Sequence, residues 1–427
     1  MKTIWSRRGA SALLGIALSF LAACARGEQA SSVASAPAST AAPAPTIPKA
    51  APSSPAPVPA AGGQDFTKEA RLLFRVAACS GSDPVPAGLE ATVEAHCKAL
   101  LPLMDLYKKK YVEGAQTFLV NLQPKGLPTS IVYPFGGGDL LSALTTYPSL
   151  SEVTTLSLEH AGDPRRIDNI DARKLEDSLM RLRKGISGLL ALSDSTSENL
   201  MQLQRGEIPG QLAFFLIGLA IHGQEPTGLR YFRVEADGSL HHMAETDIQA
   251  VEGQTAKNLN TVWKSPDFSV AFSNAELTFK PKGAPEGTER VHRHIAANLM
   301  DGPLAKDPRV LKHLEAKGKV TAMTKAASYI LWSTGFAKIR NYLLANMVFM
   351  VSDSTGIPPR YATKAGFVQE TYGTFSGPFL EANMQDAESF CELWNSQPRR
   401  ELPFRYGYVD VIRQNHLLVT KRAQPAP

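Results

Sequence analysis

The residues from Ser130 to Glu159 come nearest to a ligand-binding pattern. Ile131-Val132-Tyr133 reads as a short buried strand and Pro134-Phe135-Gly136-Gly137-Gly138-Asp139 as a glycine-rich turn. Leu140 to Tyr147 has helical spacing, and Val153 to Leu158 is a second strand closing on Glu159. Glycines at such a turn let backbone N–H groups approach a ligand at a helix N-terminus, and a later carboxylate can accept from ribose hydroxyls. Glu159 lies 21 residues after Gly138, close to the spacing this chemistry needs. The third glycine of the dinucleotide fingerprint is replaced by Leu141, and Asp139 places negative charge where a pyrophosphate would sit. That argues against NAD or FAD and less strongly against an S-adenosylmethionine-type ligand. Two readings follow. In one, Gly136, Gly138, Asp139 and Glu159 form a cofactor shell, with Asp139 partly exposed. In the other, the turn is structural and Asp139 caps the following helix.

Other constellations carry less. His292 and His294 alternate on one likely strand and His241-His242 sit in a hairpin, but no third ligand or supporting acid accompanies them, so they read as surface or edge histidines and no metal is expected. Asp353-Ser354-Thr355-Gly356 has the wrong spacing for an aspartic-protease loop and lacks a second copy. Ile357-Pro358-Pro359-Arg360-Tyr361 lacks the amide of an amino-methyltransferase loop and reads as a rigid turn. No Gly-x-Ser-x-Gly, His-Glu-x-x-His or Gly-x-x-x-x-Gly-Lys-Ser/Thr occurs in the 427 residues.

The elements that would position these residues alternate between strands and helices. Thr67–Ala78 and Leu89–Tyr111 have helical spacing, the second with a bend at Pro102; Asp171–Leu192 and Phe336–Ala345 are helical as well. Leu229–Ala236 and Leu240–Ala244 flank Asp237-Gly238, a hairpin signal. Glu276–Lys280, Arg290–Ala296, Ala326–Trp332 and Met347–Ser352 read as strands. The pattern predicts an α/β fold: a Rossmann-like, mostly parallel sheet with flanking helices and an added antiparallel hairpin.

The first 64 residues differ in kind. Lys2, Arg7 and Arg8 precede an uncharged, mostly apolar run from Gly9 to Ala23 that ends Leu21-Ala22-Ala23-Cys24. At ~1.5 Å per residue this run spans about 22 Å, too short for a ~30 Å hydrocarbon core, so residues 1–23 read as a signal peptide. The ending resembles the bacterial lipobox, which implies a diacylglyceryl group on Cys24. Residues 25–64 contain eight prolines and few large apolar side chains, the composition of a disordered tether. Residues 65–427 then form the exported domain, opening with a helical segment over 65–125. Of the formal charge of +5, Lys2, Arg7 and Arg8 supply three and Arg26, Glu28 and Lys49 a net one, which leaves about +1 for the domain. That balance excludes a dedicated nucleic-acid binder. In an oxidising compartment Cys79 and Cys97 are expected to pair, with Cys391 free and buried in a helix.

Four blocks, Tyr133–Leu140, Leu156–Glu159, Lys325–Tyr329 and Asp353–Tyr361, together resemble a family of uncharacterised exported bacterial lipoproteins. Members typically carry Tyr-Pro-Phe-Ser-Gly-Pro-Asp at the first block. This chain has glycine in place of that serine and that proline, so a role for the serine does not transfer. The resemblance implies a membrane partner through the lipid on Cys24 and a cell-envelope, outer-membrane location, since Ala25 rather than Asp follows the cysteine. It implies no activity and names no cofactor. The expected function is a binding or interaction domain, with a methyltransferase-like enzyme or enzyme relic as the alternative.

Overall fold

The computed structural model describes residues 62–192, 206–256, 268–325, 327–353, 356–374, 384–406 and 415–423. The expected signal peptide, nearly all of the expected tether and Cys24 lie outside the described residues. The chain enters the domain where Gln64 N donates to Met243 O and Phe66 N donates to Leu229 O. Helices α1 (Thr67–Ala77) and α2 (Glu90–Tyr107) follow, then a π-helical turn (Lys108–Val112) and α3 (Glu113–Leu122). Pro102 is accommodated inside α2, so the bend expected there is absent as a break. The irregularity falls instead at the π turn, which carries Tyr111 into the core.

The remaining elements alternate. In chain order they are β1 (Ser130–Pro134), α4 (Leu140–Thr146), β2 (Glu152–Ser157), α5 (Ala172–Leu192), α6 (Gly210–Ile221), β3 (Gln224–Val234), β4 (Leu240–His242) and α7 (Glu245–Val251). A two-stranded pair of β5 (Thr255–Ala256) and β6 (Phe268–Ser269) precedes β7 (Ala275–Pro281) and β8 (Arg290–Ala296). Helices α8 (Asp301–Lys306) and α9 (Arg309–Ala316) lead to β9 (Val320–Thr324), α10 (Ala337–Asn346) and β10 (Met347–Asp353). The chain closes with α11 (Pro359–Lys364), β11 (Phe367–Thr374), α12 (Met384–Asn395) and β12 (Asn415–Arg422).

Ten strands form one sheet in the order β11-β12-β10-β9-β1-β2-β8-β7-β3-β4. The middle five, β10-β9-β1-β2-β8, are parallel, and every pairing outside them is antiparallel. The sheet is therefore mixed, with five antiparallel pairings against four parallel ones, which corrects the expectation of a mostly parallel sheet. Antiparallel neighbours added at both edges account for the difference. The expected hairpin at Asp237-Gly238 is β3–β4, with Val234 opposite Leu240. The apolar run before Trp332 is not a strand: Ser328–Trp332 is a 3-10 turn, and the strand here is the preceding Val320–Thr324.

The parallel strands β1, β2, β9 and β10 are buried on both faces, and β1 and β10 accordingly read as apolar runs, whereas β2 and β9 carry buried threonines. Helix α6, apolar all round, lies wholly inside one layer. It approaches α4 closely: a Cβ at Gly218 would stand 3.0 Å from Leu141 N. No helix among the described residues is long and apolar enough to cross a membrane.

Cys79, just after α1, is joined to Cys97 in α2, with the Cα atoms 5.4 Å apart. Cys391, expected to be free, is instead disulfide-bonded. Closing an 18-residue separation restricts the unfolded chain by about 3 kcal/mol on the chain-entropy model. The Cys79→Ala/Cys97→Ala double variant is accordingly expected to lose about 3 kcal/mol in urea unfolding, with a higher m-value because the unbridged denatured chain is more expanded. Alkylation of the unfolded, unreduced protein at either cysteine would contradict the bridge.

Candidate functional site

The glycine turn is built by steric demand from the protein itself. Phe135 holds φ at +62° and Gly137 at +51°, so the chain reverses sharply as it leaves β1. A Cβ at Gly136 would stand 2.8 Å from the Tyr133 ring, and one at Gly138 would lie 2.9 Å from Phe214 and collide with Gln211 Oε1. Packed side chains, not an open crevice, lie over the turn. Asp139 is 1% exposed. Its Oδ1 accepts from Ser142 N at 3.0 Å as the N-cap of α4, and its Oδ2 accepts from Tyr133 Oη at 2.9 Å. The partial exposure expected of a cofactor ligand is thus not found, because the short buried helix α4 needs a cap and Asp139 supplies it. Glu159 is half-buried beyond the end of β2, where its carbonyl accepts from His294 Nε2 at 2.8 Å. Asp139 and Glu159 therefore follow adjacent parallel strands, with the Asp139 carboxylate turned inward to α4.

A richer constellation lies one strand away. From β1 the chain runs to β2 and β8 on one side, then returns to β9 and β10 on the other. The reversal between β1 and β9 is a topological switch point, where open α/β sheets place ligands at the carboxyl ends of their strands. Lys325 follows β9 directly and is 4% exposed. Its Nζ donates to Ser142 Oγ at 3.0 Å and lies 5.6 Å from the ring centres of both Tyr111 and Tyr406. At the end of β10, buried Asp353 accepts from Ser328 Oγ at 3.0 Å. Burial first, then the charge of Asp139, holds the Tyr111 and Tyr133 phenols well above their ordinary range, so both remain neutral. Burial does the same for Tyr406. Three of the four sequence blocks thus converge on one end of the sheet. Lys325 carried no clear signal, because the strand before it, with Thr321 and Thr324, does not read as an apolar run. Tyr111 and Tyr406 had none, since the π turn and the C-terminal segment place them.

The histidine expectations need correcting. His292 and His294 are core residues of β8, not surface or edge groups. His294 Nε2–H donates to Glu159 O, which leaves Nδ1 to accept the Thr155 hydroxyl at 3.0 Å; Thr155 Oγ1 then accepts from His292 Nε2–H at 2.9 Å. Both histidines are fixed neutral. No group of three or more metal-ligating side chains exists among the described residues.

Charge is buried elsewhere in a connected chain. Arg293 donates to Glu276 at 2.7 Å and to Glu152 at 3.0 Å, Lys317 pairs with Glu152, and Glu276 meets His242 at 3.0 Å. Burial alone would raise Glu152, but Lys317 and Arg293 outweigh it and bring its carboxyl down to about 2. A surface cleft of about 440 Å³ is lined by Arg165, Arg166 and Lys174 with Asp163 and Glu207. Each of its cations already faces a carboxylate, so none is left over for an anion.

The chain matches no known family model, no curated protein and no solved structure.

Buried histidines set the acid response. Desolvation is the first cause that lowers His96, His160, His222, His294 and His313 from 6.5 to about 4, and it holds His292 well below 6.5. A group depressed in the folded state stabilises above its unfolded value, and that contribution is lost as pH falls toward the folded value. Each of the five withdraws up to roughly 3 kcal/mol by pH 4, and together they rival the ~5–15 kcal/mol of a typical domain. Stability should therefore fall steeply between pH 6.5 and pH 4, seen as a collapsing melting temperature. A flat profile across that window would show that these histidines are protonated in the fold.

The cap has its own test. Asp139→Asn should fold normally with a loss below about 1 kcal/mol, since an amide caps nearly as well and the Tyr133 hydroxyl can rotate to accept from it. Asp139→Ala should lose about 2–4 kcal/mol, because it removes the cap and orphans the Tyr133 hydroxyl. Equal melting temperatures for the two variants would contradict this role.

Proposed function

We propose that this chain is an exported bacterial envelope lipoprotein, anchored through a diacylglyceryl group on Cys24 and spaced from the membrane by residues 25–64. Its α/β domain acts as a binding or interaction module. The observation that carries the module reading is the filled glycine turn: Tyr133, Gln211 and Phe214 occupy the room a cofactor would need, and Asp139 is committed to α4. The Cys79–Cys97 bridge supports export, because such bonds persist in oxidising compartments. The membrane is the partner in this reading, through the lipid, and the outer membrane its location.

The strand order supports a methyltransferase-like Rossmann ancestry. Taken in chain order, the five parallel strands lie as 3-2-1-4-5, the doubly wound order. Beyond them β12 runs antiparallel between β10 and β11, the reversal that methyltransferase-like sheets carry at this edge. An enzyme framework whose cofactor end has been packed with its own side chains fits both features. A living methyltransferase fits only the first.

Two experiments test this. Labelled palmitate should enter the wild type and not Cys24→Ala. Label in Cys24→Ala, or none in the wild type, sinks the anchor. Thermal-shift screening with adenosyl compounds and nucleotides should leave the melting temperature unmoved for wild type and Asp139→Asn alike. A shift in the wild type that Asp139→Asn abolishes would restore the cofactor reading with Gly136, Gly138, Asp139 and Glu159 as its shell.

A further inference from the structure

The loop that leaves the carboxyl end of β2 forms one wall of the surface cleft of about 440 Å³. Open α/β sheets present their ligand sites at that end of their parallel strands. A 3-10 turn (Pro164–Asn169) brings Arg165, Arg166 and Asn169 to the cleft, and Lys174 comes from the first turn of α5. Glu207 closes the other side, its backbone N–H donating to Ser178 Oγ of α5 at 3.0 Å. The cations differ in how firmly they are held. Arg165 is fixed: its guanidinium donates to both Asp163 oxygens and to Glu252, and it lies 4.7 Å from the Phe272 ring centre. Arg166 meets Glu207 at 3.3 Å and Lys174 meets Asp171 at 3.7 Å, with 45% or more of each of these four side chains exposed. Exposed pairs contribute little to stability, so these two open at small cost.

We infer that this cleft binds a small α-amino acid, its carboxylate on Arg166 and Lys174 and its ammonium on Glu207. The inference deepens the binding-module reading by naming a ligand class, and it rests on that reading. Charge selects the class. Three cations, Arg165, Arg166 and Lys174, face four carboxylates, Asp163, Glu252, Glu207 and Asp171. A simple anion would take Arg166 from Glu207 and leave that carboxylate unpaired, and a simple cation would do the reverse. A zwitterion replaces both partners at once and leaves no charge over. Spacing narrows the class further. The opposite charges to be bridged stand 3.3 Å apart, and an α-amino acid carries its ammonium and carboxylate on one carbon. Ile170 offers a small side chain an apolar wall.

Calorimetric titration of the full chain in detergent, at neutral pH and low salt, tests this with L-alanine, propionate, ethylamine and 6-aminohexanoate. L-Alanine should bind saturably. Propionate and ethylamine each carry one of its two charges and should not bind, nor should 6-aminohexanoate, whose charges stand too far apart. Arg166→Gln and Glu207→Gln should each weaken L-alanine by about tenfold, the loss of one charge-assisted hydrogen bond. Lys68→Gln, which removes the exposed Lys68–Asp168 pair on the same 3-10 turn, should bind as wild type does. All three variants should melt as wild type does, because the pairs they break are exposed, so lost binding reports a lost contact. Added salt should weaken the binding. No saturable heat with L-alanine, equal binding of propionate or 6-aminohexanoate, or wild-type affinity in both cleft variants would each overturn the inference. None of those results bears on the anchor or on the glycine turn. Palmitate label in Cys24→Ala or a shift with adenosyl compounds would instead overturn the proposed function, so the two failures are distinguishable.

Discussion

Because the Asp139 carboxylate accepts from Tyr133 in β1 and from Ser142 in α4, it fastens the central strand to the helix that follows it. The neighbouring arrangement follows from that bond. With α4 fixed, Ser142 Oγ stands where the Lys325 ammonium can reach it from the end of β9, 183 residues later. With α4 fixed, Gly218 also brings α6 against Leu141, and the start of α6 carries Gln211 and Phe214 over the glycine turn. One buried acid thus links the two strands of the switch point and closes the turn between them. A buried carboxylate is tolerable here because two oriented donors, Tyr133 Oη and Ser142 N, replace its water.

The sheet extends this centre outward by a different logic on each side. Past β8, strands β7, β3 and β4 run antiparallel, and the buried charges of Glu152, Arg293 and Glu276 sit across the junction. An isolated carboxylate or guanidinium would be costly there, so the members satisfy one another, and removing one would leave the rest uncompensated. On the opposite side β12 and β11 extend the sheet from β10, and Gln369 on β11 binds the Thr420 hydroxyl of β12 and the Ile357 carbonyl. Buried ion pairs secure one flank; on the other, these neutral hydrogen bonds are joined by the partly exposed Lys421–Glu370 pair at 2.6 Å.

What the sequence made legible was local. The strand–turn–helix–strand unit over 130–159, the Asp237-Gly238 hairpin, α5, α10 and the Cys79–Cys97 bridge all follow from short-range patterns: apolar runs, turn residues and cysteines on neighbouring helices. Strand pairing was not legible in the same way. A buried strand such as Val320–Thr324, polar at Thr321 and Thr324, hides its membership until its neighbours are known. β11 and β12 lie far apart in the chain and pair only through the fold. The histidines of β8 were misjudged because alternating His on a strand says nothing about whether that strand is central, and β8 lies between β2 and β7. At the candidate site Asp139 was visible and its capping alternative foreseeable. Tyr111 and Tyr406 were not, because an irregular π turn and a segment next to the last strand deliver them from opposite ends of the chain.

These two kinds of buried polarity differ in what they do for the fold. The Glu152–Arg293–Glu276 chain and the His292–Thr155–His294 relay are nearly closed accounts of donors and acceptors, and His292 Nδ1 alone is left over in the relay. Such networks rigidify a core when every member is satisfied. The switch-point cluster differs: a lysine with one hydrogen bond and several hydroxyls with none lie at the carboxyl ends of parallel strands. Apolar residues of similar volume would pack the same space without that penalty. Unpaired buried atoms also occur elsewhere, at Ser130 Oγ, Gln224 Oε1, His313 Nε2, Trp332 Nε1 and Arg340 Nε. What sets this end of the sheet apart is a buried lysine at a place where the backbone turns through positive φ and three separated sequence blocks meet.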